Sequence, residues 1–136
     1  MRSFLYLPLA LAAAGCAATA PSPAMERRAA LAQSQLDAKL AGYTAGAVQE
    51  CLDTRTLEGP EGYGDSTLLF RDGRRRLYRT ETSGSCNGIG RGDALITRQY
   101  GTRICRGDIA RTADLTAGIP TGSCSFGAFV PYTRAR

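Results

Sequence analysis

The chain has no histidine, no tryptophan and a single lysine, Lys39. Without histidine, no Ser-His-Asp triad, Cys-His pair, imidazole-ligated zinc or haem, or imidazole general base can be built within it. No two of its five cysteines stand close enough for a C-x-x-C knuckle, so the usual zinc spacing is missing too, and neither metal nor cofactor is expected. No basic stretch is interleaved with an aromatic platform, which argues against a nucleic-acid partner. No apolar run reaches the roughly 20 residues a helix needs to cross a bilayer core. What is present is 136 residues, one domain's worth, with a 43% hydrophobic fraction too high for a wholly disordered chain. Sixteen arginines give a net charge of +5, and the cysteine count is odd, which a disulfide framework alone does not explain.

The N-terminus accounts for the odd cysteine. Arg2 precedes an eleven-residue apolar run, Phe4 to Ala14, which has the length of a secretory h-region. It leads into Ala13-Ala14-Gly15-Cys16, which resembles the bacterial lipobox, with Ala in place of Leu three positions before the cysteine. A rival site, Ala18-Thr19-Ala20, is followed by Pro21, which blocks ordinary signal cleavage. The expectation is a lipoprotein signal peptide over 1–15 and a lipidated Cys16. Its acyl chains, palmitate among them, would hold the protein on a membrane at about 0.8 kcal/mol per buried CH₂. Ala17, rather than Asp, implies outer-membrane sorting with the domain on the periplasmic face.

Residues 16–24 read as a lipidated cysteine and a short Pro-punctuated tether. Residues 25–42 read as a helix or spacer, with Ser22 as N-cap, Pro23 at the first turn and Gly42 as C-terminal stop. Its apolar face is mostly Ala, which suits loose packing on the domain or a semi-rigid spacer. Residues 43–136 change to short β-like runs separated by Gly: 48–55, 67–70, 76–80, 94–99, 102–105, 109–112 and 125–130. Asp72-Gly73 between two such runs marks a hairpin. The expected fold is mainly β, a small antiparallel β-sandwich or partly open barrel with two disulfides, preceded by one N-terminal α-helix.

Cys51, Cys86, Cys105 and Cys124 supply the two bridges expected in an oxidising envelope. Spacing does not choose among the three pairings. The preferred one joins the first and last strands through Cys51–Cys124, with Cys86–Cys105 closing a Gly-rich loop. Arg71, Arg74, Arg75, Arg76 and Arg79 flank the hairpin turn. They form either an anion-binding patch or a solvated hairpin whose charges discourage edge-to-edge pairing, and the second reading is preferred. Glu58, Glu61 and Asp65 sit in a Gly- and Pro-rich stretch read as a polar turn rather than a catalytic carboxylate pair. The second Arg-Gly-Asp, 106–108, reads as a turn with Asp108 accepting backbone N–H bonds. Phe126, Phe129 and Tyr132 read as core before contact surface.

These segments carry a likeness. Ala41 to Gly46 leading to Cys51-Leu52, Leu68 to Gly73 with Leu77-Tyr78-Arg79, Ser85-Cys86, Ile104 to Ile109, Gly122-Ser123-Cys124 and Phe129 to Tyr132 occur in order. Over this span the chain resembles a family of small proteobacterial envelope proteins, many of them lipoproteins, catalogued only as a domain of unknown function. The resemblance implies a compact extracytoplasmic disulfide-bonded domain and carries over no catalytic residue. The expected function is a non-enzymatic envelope lipoprotein, a binding or structural module. Its partners would be the membrane through Cys16 and an envelope protein or anionic envelope component. A second expectation, from another class, is a periplasmic inhibitor of a lysozyme or protease, with loop 57–65 or 86–93 as the inserted element.

Overall fold

Ser22 starts the structure as it should: its Oγ accepts a 3.3 Å hydrogen bond from the Met25 N–H, with Pro23 in the first turn behind it. The computed structural model describes residues 21–135, and the leader and Cys16 lie outside them. Helix α1 spans Pro23–Leu40, and Gly42, at φ +78°, turns the chain out of it. The helix has two unlike halves. Residues 23–31 are all exposed, whereas Leu36 is 1% exposed and Leu40 is partly buried. The C-terminal half docks on the domain, and the N-terminal half stands off it as a spacer.

Seven strands build one curled antiparallel sheet, a half-barrel. They are β1 (Tyr43–Ala45), β3 (Leu57–Tyr63), β4 (Thr67–Asp72), β5 (Arg76–Ser85), β6 (Ala94–Thr97), β8 (Ile109–Asp114) and β9 (Ile119–Arg134), in the order β3-β4-β5-β9-β8-β6. The hairpin expected at Asp72-Gly73 joins β4 to β5 through a three-residue turn, with Gly73 at φ +64° and Asp72 opposite Arg76. Strand β9 is the spine. Its one edge pairs with β5, and its other edge pairs with β8 near the start and β1 at the end. Two short strands, β2 (Cys51–Asp53) and β7 (Arg103–Cys105), pair only with each other and cap the inner face.

Alternation along the strands sends side chains to two cores. The inner core holds Leu68, Phe70, Tyr78, Phe126 and Phe129, closed by Leu52 and Ile104 from the β2–β7 cap. The rings of Phe70, Phe126 and Phe129 lie 6.0, 6.2 and 6.3 Å apart between centroids, in tilted and edge-on contacts. On the outer face, Leu69 and Leu77 meet Leu36 of α1, with Tyr132 at the margin. Phe126 and Phe129 are therefore core residues, and Tyr132 is a partly buried member of the second cluster.

Two expectations are corrected. The bridges are Cys51–Cys105 and Cys86–Cys124, not Cys51–Cys124 and Cys86–Cys105. The first segment does reach the last strand, but through β1, while Cys51 lies beyond it in the cap, directly opposite Cys105. Cys86 follows the end of β5, where Gly84 faces Cys124 on the neighbouring β9. The second correction concerns 57–65. Most of it is strand β3, bent by a register shift between Glu58 and Glu61 around the cis Gly59–Pro60 bond, and not a loop.

Candidate functional site

The five arginines of the hairpin do not share a face. Strand alternation puts Arg71 and Arg79 on the helix side, where Arg71 lies 3.5 Å from Glu61 and Arg79 lies 2.7 Å from Glu81. Arg76 sits on the opposite side with Asp72 and the Tyr78 hydroxyl, each at 3.5 Å. Only Arg74 and Arg75, exposed in the turn, have no acidic partner among the described residues.

Glu61 gathers charge of the other sign. Its carboxylate takes Lys39 at 2.8 Å, Arg71 at 3.5 Å and the Tyr63 hydroxyl at 3.1 Å, tying helix to edge strand. Burial pushes Glu61 upward, but the hydrogen bonds from Lys39, Tyr63 and Arg71 outweigh it, and the net direction is down. Tyr63 moves the other way, pushed up to about 12 by burial and by its bond to the Glu61 carboxylate. At the cap, the Arg55 side chain holds exposed Asp53 down to about 2 by hydrogen bonds. Glu58 is exposed on β3 and Asp65 in the following turn, and neither joins the Glu61 cluster. Among the described residues no three acidic or cysteine side chains converge as a metal set.

The segment 86–93 is also tied down. Ile89 is 6% exposed, and its carbonyl carbon lies so near Gly62 that a Cβ there would meet it at 2.7 Å. The Gly-rich run thus closes one end of the half-barrel instead of protruding. Asp108 does what its turn position suggested: its Oδ2 accepts the Cys105 N–H at 2.8 Å.

Among the described residues, a further uncovered surface lies on β6 and β8. Helix α1 covers the outer face of β4 and β5, and among the described residues nothing covers the outer face of β8 and β6. Ile96 and Ile109 point to that face in the same alternation that buries Leu69 and Leu77 under the helix. They are 48% and 63% exposed, and Leu115 and Ile119 at the β8–β9 turn are 73% and 54% exposed. Together with Arg98 and Arg111 they line an open groove of about 630 Å³. The sequence pattern predicts strands at 94–99 and 109–112 and assigns them no role. Which face α1 would leave uncovered depends on strand order, and one chain's pattern does not give that order.

A family model matches residues 1–127, described as a family of unknown function (DUF6491). No curated protein and no solved structure matches the chain.

Proposed function

The chain belongs to that family of unknown function, and from this premise we propose that it is a bacterial envelope lipoprotein, held by acyl chains on Cys16, whose β domain is a non-enzymatic binding module facing the periplasm. The observation that carries the proposal is the cysteine arithmetic. Cys51, Cys86, Cys105 and Cys124 pair with one another, as an oxidising compartment favours, and the fifth cysteine stands directly after the apolar leader. The unattached first half of α1 supports the tether, because it holds the domain away from its point of attachment. The bare groove on β6 and β8 supports a binding role.

Cell fractionation tests the anchor. The wild-type chain is expected in the membrane fraction, and Cys16→Ser is expected to release it to the soluble extract. Unchanged fractionation of the variant would remove the anchor from the proposal.

A further inference from the structure

We propose that the open pocket at the tip of the β4–β5 hairpin binds a phosphate monoester group through Arg74, Arg75, Arg76 and Arg134. The inference rests on the reading of the domain as a binding module, and it is independent of the anchor on Cys16. The pocket, about 510 Å³ in volume, lies between the hairpin turn and the end of β9. Arg76 faces Thr133 in the last pair of the β5–β9 ladder, and the next residue, Arg134, donates its N–H to the Arg75 carbonyl at 3.0 Å. That bond ties the turn to β9. It brings a fourth arginine, distant in sequence, beside the three of the turn. Arg71 and Arg79, on the helix side, take no part.

Charge balance selects the ligand. Four guanidinium groups and one carboxylate, Asp72, line the pocket, and that carboxylate is shared with Arg76 at 3.5 Å. Arg74 and Arg75 have no acidic partner among the described residues. The partners of Arg134 are neutral: its Nη2 donates to the Ala41 carbonyl at 3.1 Å, and its guanidinium carbon lies 4.5 Å from the centre of the Tyr43 ring. Those contacts hold the side chain in place and leave its charge uncompensated. Edge protection does not account for the cluster. Strand β4 lies between β3 and β5, and β5 between β4 and β9, so neither presents a free edge. Like charges gathered in this way repel, and a bound anion removes the repulsion. A carboxylate brings one charge, whereas a phosphate monoester brings about −1.5 to −2 and three acceptor oxygens, which guanidinium forks engage in bidentate pairs. The Thr133 hydroxyl lines the same pocket and adds a neutral donor.

The test uses the full acylated chain, isotope-labelled, in micelles of a neutral detergent. Arginine Nε–H resonances are followed by NMR as glycerol phosphate is added at constant ionic strength. Saturable shifts are expected at Arg74, Arg75, Arg76 and Arg134, with acetate and a glutamate-rich peptide binding more weakly. The double substitution Arg74→Gln and Arg75→Gln, and separately Arg134→Gln, should each weaken glycerol phosphate about tenfold. Arg27→Gln, on the exposed half of α1, removes the same charge as Arg134→Gln and should leave the affinity unchanged. The turn variant alters two exposed side chains, so it decides the matter if Arg134→Gln fails to fold. Phosphatidic acid mixed into the micelles presents the same group on a lipid. Tighter binding than glycerol phosphate assigns a lipid headgroup as the source, and equal or weaker binding assigns a soluble phosphate. No saturation, equal or tighter binding of acetate or of the peptide, or an equal loss in Arg27→Gln would each overturn the proposal. Acylation is read separately, from the mass of the Cys16 peptide. A chain that is acylated but unresponsive to glycerol phosphate loses this pocket alone, and an unacylated chain loses the anchor while the pocket stands or falls by its own titration.

Discussion

At the scale of single residues, Glu61 and Tyr63 shift each other's titration in opposite directions. The pair sits on β3, where Tyr63 packs beside the helix-covered cluster and its hydroxyl points at a carboxylate. A tyrosine whose folded pKa exceeds its unfolded value binds more protons folded than unfolded at alkaline pH. Its contribution to stability is complete below about 10, and it is lost as the pH rises from about 10 to about 12. Glu61 works at the acid end: its lowered pKa contributes stability above the ordinary carboxylate range, lost as the pH falls through its folded value. Ultraviolet difference titration should show one tyrosine ionising near 12, absent in Tyr63→Phe. In Glu61→Gln the midpoint of Tyr63 should move downward but stay above 10, since burial remains. A Tyr63 that ionises at the ordinary tyrosine value of about 10 would contradict this geometry.

At the scale of elements, α1 is held by little. Leu36 is its one buried residue, inserted between Leu69 and Leu77, and the Lys39–Glu61 pair is half exposed, so it adds little. Leu36→Ala should cost about 2–5 kcal/mol of docking energy. Hydrogen exchange should then show amides of the second half of α1 exchanging as fast as those of residues 23–31, with the β sheet still protected. Protection of α1 equal to wild type would mean that another contact holds it. The helix itself was legible in the sequence because caps and propensity are local: Ser22, Pro23 and Gly42 stand where they act. Most strands were legible too, because β-branched and apolar runs between glycines announce themselves. Strand β3 was not. Its Gly59, Pro60 and Gly62 look like a loop, and it is an edge strand because edges tolerate bulges and proline. Gly62 is there for the close approach of Ile89, a tertiary contact with no local signature.

At the scale of the whole molecule, the features that were not legible are those set by strand order: which cysteines meet, and which sheet face is left bare. Spacing leaves Cys51–Cys124 and Cys51–Cys105 equally open, and only the departure of β2 from the main sheet into the β2–β7 cap decides. The result is two overlapping loops, with sequence separations of 54 and 38 between the bridged positions. Each closes chain worth about 4 kcal/mol in the loop-entropy model, less than additive because the loops overlap. Against a typical total of about 5–15 kcal/mol, the framework decides whether so small a domain stays folded. The bridges differ in access. Cys51 and Cys105 are partly exposed in the cap, whereas Cys86 and Cys124 are 0% and 4% exposed in the inner core. Thiol–disulfide exchange needs access to sulfur. Titrating the folded protein with a dithiol should therefore open Cys51–Cys105 first, leaving the near-ultraviolet signal of the packed phenylalanines in place. Opening Cys86–Cys124 should abolish that signal and unfold the domain. Alkylation followed by mass mapping orders the two events. Prior opening of the core bridge, or a fully reduced chain that keeps its near-ultraviolet spectrum, would show that the disulfides do not hold this fold together.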